Sequence, residues 1–196
     1  MNKKPLLLGF TGKKQAGKNY IANKVSDILT KQGYTSVIEI AFADALKNEV
    51  CHAVGITRET LETNKEVFRP LLQWWGTEFR RNMFKETYWV DKVRERLKQD
   101  SKKNCAILIT DVRFENEARL IEDFGGKLWR VVNPDESLIS KANIFSMSTY
   151  THASETAIDN YPVSQTVLNS RSVPAQTLHD NLEKMLADTF NSSTPQ

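Results

Sequence analysis

Apolar residues in this chain follow two patterns. Short dense runs alternate with longer stretches in which they return every three or four positions. Leu6-Leu7-Leu8-Gly9-Phe10 is a dense run and predicts a short buried strand that breaks at Gly12. From about Asn19 to Lys31 the spacing is helical, and Gln32-Gly33-Tyr34 supplies a stop. Ser36–Ile40 predicts a second strand, Ala43–Cys51 a short helix, and Thr57–Thr63 a further helical turn capped by Thr57. Between Lys65 and Met83, residues Leu71, Leu72, Trp75 and Phe79 recur at helical spacing. Pro70 is the expected start there, because proline suits a first turn and not a helix interior. Trp89–Lys98 continues helically, with Trp89, Val93 and Leu97 on one face. Cys105–Thr110 is almost wholly apolar, the composition of a central parallel strand. Glu115–Phe124 reads as helix stopped by Gly125-Gly126, Lys127–Val132 as strand, Ser164–Leu168 as a last strand. Pro174–Phe190 closes the chain as a helix with Leu178, Leu182, Met185 and Leu186 inward. Residues 134–150, rich in Ser, Asn and Thr, lack a clear period and are expected to form a small lid.

Strands alternating with helices predict an α/β fold, a parallel sheet of about five strands with helices on both faces. Ligands of such sheets sit beyond the C-terminal ends of the strands. The segment Gly12–Asn19, Asp44, Asp111–Arg113 and the loop after Val132 all fall at such ends.

The length of 196 residues suits one domain, with a substrate-binding helical region at about 44–98 and the lid. A net charge of +3 suits small anionic substrates and lacks the density of a nucleic-acid-binding arm, so no stable nucleic-acid binding is expected. Cys51 and Cys105 have no metal-type spacing and are expected as reduced core thiols of a cytoplasmic protein. Too few apolar residues follow Lys4 for a signal segment, and no run approaches a membrane span. The polar residues 191–196 are expected to fray.

Chemistry concentrates first in Gly12-Lys13-Lys14-Gln15-Ala16-Gly17-Lys18, which has the spacing of a Walker A phosphate loop. Glycines let the backbone curl so that N–H groups converge on phosphate oxygens, and the following helix adds its N-terminal donors. Gly12, Lys13, Ala16, Gly17, Lys18 and Asn19 are therefore the candidate ATP contacts. Lys18 is the cation for the β- and γ-phosphates. Asn19 stands where a Ser or Thr would ligate magnesium, and its amide can instead hold a magnesium-bound water.

Asp111 ends the most apolar strand, where a carboxylate orients magnesium through water; the competing reading is a helix cap. Arg113 can grip a phosphate or carboxylate with two hydrogen bonds. Glu117 could hold that arginine or a sugar hydroxyl, against a plain solvated charge. Lys14, Lys47 and Arg69 are candidate cations for a second phosphate, each weighed against surface solvation. Gln73-Trp74-Trp75-Gly76-Thr77 places adjacent tryptophans, of which Trp75 reads as core and the other can line a base-sized slot. Gly76 would permit close backbone approach and Thr77 would add a hydroxyl. Trp89 divides in the same way between core and slot. His152 and Glu155 read as a capping box or lid anchor ahead of a general base. His52 and His179 show no partner pattern.

The segments GKKQAGKN, FADALK (42–47), RPLLQWWGTEFR (69–80), YWV (88–90), DVRFENEA (111–118) and THASE (151–155) together resemble the deoxynucleoside monophosphate kinases of tailed bacteriophages. The resemblance implies a P-loop, nucleoside monophosphate kinase-like fold. It implies transfer of the γ-phosphate of ATP, with Mg²⁺, to a deoxynucleoside 5′-monophosphate. It places Lys14, Lys47, Arg69, Gly76, Thr77 and Trp89 around the monophosphate, and Asp111, Arg113 and Glu117 near the deoxyribose and transferring phosphates; Asp44, Gln73 and Trp74 complete the candidate substrate contacts. Lys18, Arg69, Asp111 and Arg113 would be catalytic, and Asn19 and Asp111 would face the metal. Relatives often carry an arginine where this chain has Asn133, which leaves Arg130 or Lys141 as sources of a lid cation. A homodimer is also implied. A dephospho-coenzyme A kinase or a nucleotide-binding regulatory module are the alternatives.

Overall fold

Leu6–Thr11 forms β1, and all of it but Leu7 is buried. The remaining strands are β2 (Ser36–Ile40), β3 (Cys105–Ile109), β4 (Lys127–Val132) and β5 (Gln165–Leu168). The helices are α1 (Lys18–Lys31), α2 (Phe42–Val54), α3 (Arg58–Thr63), α4 (Lys65–Gln73), α5 (Tyr88–Asp100), α6 (Glu115–Asp123) and α7 (Ala175–Asn191). A π-helix, Trp74–Phe84, follows α4 directly. These elements come from a computed structural model that describes residues 3–100, 104–135 and 156–191. The expected lid lies outside the described residues except for Pro134 and Asp135, as do Lys141, His152 and Glu155.

The chain divides into a sheet unit, Met1–Glu39 with Asp100–Gln196, and a helical unit, Ile40–Gln99. In the sheet unit, five strands among the described residues take the order β2-β3-β1-β4-β5. β1 pairs in parallel with β3 (Leu8 opposite Leu108) and with β4 (Phe10 opposite Trp129), and β4 with β5 (Val131 opposite Val167). Alternation sorts the side chains. Leu8, Phe10, Leu108, Trp129, Val131 and Val167 form one core with Ile21, Val25 and Leu29 of α1 and Leu182 and Leu186 of α7. On the opposite face Ile121 of α6 packs over Gly9. β3 is buried along its whole length, as its composition requires.

In the helical unit, Val50, Cys51 and Leu61 form the centre of a smaller core, covered by Leu46, Phe68, Leu71, Leu72 and Trp75. Thr57 caps α3 through the hydroxyl that accepts from the Thr60 N–H at 3.0 Å. The expected start at Pro70 is corrected: α4 begins at Lys65 and runs through Pro70. An internal proline costs about 3 kcal/mol. Packing of the partly buried Phe68, Leu71 and Leu72 against the Val50, Cys51 and Leu61 core offsets it.

Candidate active site

The strand-to-helix turn after β1 is a backbone cradle. Gly12 has φ 140° and Gly17 has φ 90°, conformations that side-chain-bearing residues rarely adopt. Both also need their missing side chains: a Cβ on Gly12 would stand 2.2 Å from the Val131 carbonyl oxygen, and one on Gly17 2.1 Å from Asn169 Nδ2. Gln15, at φ 64°, adds a left-handed turn where glycine is absent. Ala16 is buried and its N–H closes the turn onto the Lys13 carbonyl at 3.2 Å. Lys18 opens α1 and folds back, its Nζ donating to the carbonyls of Gly12 (2.6 Å) and Lys13 (2.9 Å). The ammonium is thereby held at the loop that a triphosphate would enter. Lys14 is half-buried, Asn19 is exposed, and Lys13 is ion-paired with Asp159.

Two further segments reach this cradle. Val112 N–H donates to the Phe10 carbonyl at 3.1 Å, which carries the β1–β3 pairing past the strand ends and sets Asp111 beside the start of the loop. Asn169, at the end of β5, donates its Nδ2 to the Ala16 carbonyl at 2.9 Å and its N–H to the Val132 carbonyl at 2.8 Å. Sequence reasoning missed Asn169, which lies far along the chain and belongs to no motif.

Glu117 is not a solvated charge. It is 2% exposed, and its Oε2 accepts from the backbone N–H groups of Arg113 (2.7 Å) and Phe114 (3.2 Å). It therefore caps α6 and sets the turn that carries Arg113, and its charge suits a helix N-terminus. Arg130 also holds local structure. Its guanidinium donates to the carbonyls of Ile158 (3.0 Å) and Tyr161 (2.8 Å), so it ties down that turn.

The sheet unit thus brings together Gly12–Asn19, Asp111, Arg113, Glu117 and Arg130. The helical unit carries Asp44, Lys47, Arg69, Gln73, Trp74, Gly76, Thr77 and Trp89. Lys47 is mostly buried and bonded to Glu62 at 2.6 Å, and Asp44 is bonded to Arg58 at 2.7 Å. Arg69 pairs with Glu66 at 3.1 Å. Burial acts to raise the Glu62 pKa, but hydrogen bonds and charge from Lys47, with Lys65 and Arg58, hold it below the usual carboxylate range. A Cβ on Gly76 would lie 2.9 Å from Leu46 Cδ2, so the glycine lets the π-helix pack closely on α2. Its carbonyl accepts from Trp89 Nε1 at 2.9 Å, and Trp89 is 3% exposed, a core residue that fixes the π-helix. Thr77 is also buried. Trp74, by contrast, is 46% exposed and stacks on Phe79, while Trp75 covers the core. Gln73 Nε2 is a buried donor that meets no acceptor among the described residues.

A second group that sequence reasoning missed surrounds Glu49 of α2. Its Oε1 accepts from Trp75 Nε1 (2.8 Å) and from Arg80, and its Oε2 from the Tyr88 hydroxyl (2.8 Å). Burial acts to raise the Glu49 pKa, but the bonds from Trp75, Tyr88 and Arg80 and the arginine charge bring it below the ordinary value.

Among the described residues no group of three His, Cys, Asp or Glu could hold a metal ion. Magnesium in phosphoryl transfer needs only one or two protein oxygens besides phosphate and water, and Asp111 and the Asn19 amide are donors of that kind. No helix among the described residues is long and apolar enough to cross a membrane.

Comparison with known proteins agrees with this geometry. A protein of Acanthamoeba polyphaga mimivirus, provisionally named a deoxynucleotide monophosphate kinase, is 28% identical over 177 residues, covering 74% of this chain and 85% of the relative. Among solved structures, APE1195 superposes with a TM-score of 0.56 at 14% identity, covering 98% of each chain. The Mycobacterium tuberculosis APS kinase, solved with AMPPNP and APS, gives 0.53 at 10% identity, covering 96% of this chain and 99% of its own. The fold is that of the P-loop kinases. The family model described as phosphomevalonate kinase matches residues 10–125, more than half of the sequence. A glycine cradle at the end of a central parallel strand, the fold and that match together make this a P-loop small-molecule kinase, and the chain belongs to the phosphomevalonate kinase family.

Proposed function

We propose that this chain transfers the γ-phosphate of ATP to the 5′-phosphate of deoxynucleoside monophosphates. The carrying observation is the cradle itself: inward-curled backbone from Gly12 to Gly17, Lys18 folded over it, and Asp111 beside its root. Such a cradle takes a triphosphate, and its chemistry is positioning and charge neutralisation. Asn19 and Asp111 would hold a magnesium ion through its bound water, and the ion would supply neutralisation of phosphate charge.

The choice of acceptor is supported by the ordered segments 42–47, 69–80 and 111–118, by the viral relative's name, and by two groups of the helical unit. Trp74 offers an exposed indole for a base, and Gln73 an unspent amide donor. In this reading Lys14, Arg69 and Arg113 hold the acceptor phosphate. Lys47 and Asp44 join them only by exchanging Glu62 and Arg58. Gly76, Thr77, Trp89 and Glu117 act through the shape of their surroundings, and Arg130 meets ATP with the part of its guanidinium not spent on Ile158 and Tyr161.

The family match supports a second reading, with phosphomevalonate as the acceptor. Both acceptors end in a phosphate monoester, so either reaction makes a phosphoanhydride from an oxygen that is already anionic and needs no strong base. A coupled kinase assay across all ribo- and deoxyribonucleoside monophosphates, phosphomevalonate and dephospho-coenzyme A separates them. Turnover of the deoxy monophosphates is the expected result. Turnover of phosphomevalonate alone would replace the first reading with the second. Nucleotide binding without transfer to any acceptor would overturn both.

A further inference from the structure

Three pairings of the π-helix run at a spacing of five residues. Lys85 N–H donates to the Arg80 carbonyl at 2.8 Å, across five residues, the hydrogen-bond step that defines this element. Trp74 stacks on Phe79, also five residues on, with centroids 5.6 Å apart and planes 3° from parallel. Trp75 Nε1 and Arg80 Nε, again five apart, donate to the same oxygen, Oε1 of Glu49. In an α-helix of 3.6 residues per turn, positions five apart point about 140° away from each other around the axis. They could not converge on one acceptor atom. A shared carboxylate oxygen therefore selects the wider turn.

The selection is reinforced. The other Glu49 oxygen accepts from Tyr88, and the Arg80 guanidinium lies over the rings of Phe79 (4.7 Å), Tyr88 (4.8 Å) and Phe84 (5.4 Å). The proposed transfer uses neither Glu49 nor Arg80.

We propose that Glu49 is a positioning residue for the acceptor base: it holds Trp74–Phe84 in π register, and that register presents the Trp74 indole flat on Phe79 with its outer face open. This deepens the proposed function and rests on it for the class of acceptor. Without Glu49, Trp75 and Arg80 lose their common acceptor, the segment relaxes towards the commoner α spacing, and Trp74 turns off Phe79. Base recognition suffers, whereas the triphosphate site is untouched.

The test compares full-length Glu49→Gln, Glu49→Leu and Trp75→Phe. Two readouts are needed: amide hydrogen exchange across residues 74–84, and KM for a deoxynucleoside monophosphate beside KM for ATP. The expected result is faster exchange in 74–84 and an acceptor KM raised about tenfold in Glu49→Gln, more in Glu49→Leu and less in Trp75→Phe, with the ATP KM and kcat held within about twofold. Unchanged exchange in 74–84 would overturn the register claim. Faster exchange with an unaltered acceptor KM, or equal rises for acceptor and ATP, would overturn the positioning claim. If Glu49→Leu does not fold, the two milder variants decide the matter alone. Exchange needs no turnover, so a chain that phosphorylates no nucleoside monophosphate would sink the acceptor reading and with it the positioning claim, while the register is still judged.

Discussion

The phosphate loop and the π-helix are both unusual backbones, and they are made in opposite ways. The loop's shape is dictated on the spot. Gly12 and Gly17 occupy conformations closed to side-chain-bearing residues, and Lys18 bonds to carbonyls five and six positions back. The π-helix has no such local cause. No residue in it has a left-handed backbone, and its register is chosen by Glu49, 26 residues before Trp75. A site built by local rules can be read from a short motif, whereas one built by a distant partner cannot.

The sharpest way to test the local side is Lys18→Ala. The expected loss in kcat is about three orders of magnitude, measured in the coupled assay. The urea midpoint should move by no more than the two carbonyl bonds are worth, about 1 kcal/mol each. Activity near wild type would show that the loop does not hold the reacting phosphates. Gly12→Ala should cost about 2–4 kcal/mol, because the new Cβ meets the Val131 carbonyl at a backbone angle already unfavourable for alanine. Gly55→Ala is the control, since its φ is 75° but nothing lies within 4 Å, and about 1 kcal/mol is expected. Equal losses in urea melts would mean that the close approach of β4 does not matter.

On the distant side the effects are smaller. Arg69→Ala should raise the acceptor KM about tenfold and the ATP KM less, with little loss of stability because its Glu66 partner is largely exposed. Equal effects on both substrates would remove Arg69 from the acceptor. The smallest expected effect is on pH. Glu49, Glu62 and Asp91 all have pKa values below the ordinary carboxylate range in the folded chain; for Asp91 the first cause is its bond from Lys85. Their contribution is therefore complete above the unfolded values, about pH 4, and is lost as pH falls through the lower folded values. Urea melts should be flat from neutrality to about pH 5 and weaken below about pH 4. A chain that grew more stable on acidification through that window would contradict the assignment.

The same distinction explains what could be read in advance. β2 and β4 fall on their expected boundaries, because dense apolar runs between turn residues leave little choice. The Thr57 cap and the Gly125-Gly126 stop are also local chemistry. The start of α4 was not legible, because packing of Phe68 and its neighbours offset the proline. Glu117 looked like a surface charge in one dimension and is a buried cap in three. Asn169 and Glu49 carry no motif, and their roles exist only once β5 lies beside β4 and α2 packs on the π-helix. Gly76 and Trp89 belonged to a recognisable segment, yet their atoms are occupied by Leu46 and by each other.

The position of β1 in the sheet has a consequence for how the molecule comes into being. Leu8 pairs with Leu108 on one side and with Lys127 on the other. During synthesis the apolar strand and its glycine loop emerge ahead of β3 and β4, which follow only after the whole helical unit has been made. Until then an unpaired strand edge is open to aggregation, and sheets with such distant pairings fold slowly. The phosphate cradle, though written ahead of the helical unit, cannot be completed until β5 and Asn169 have been made.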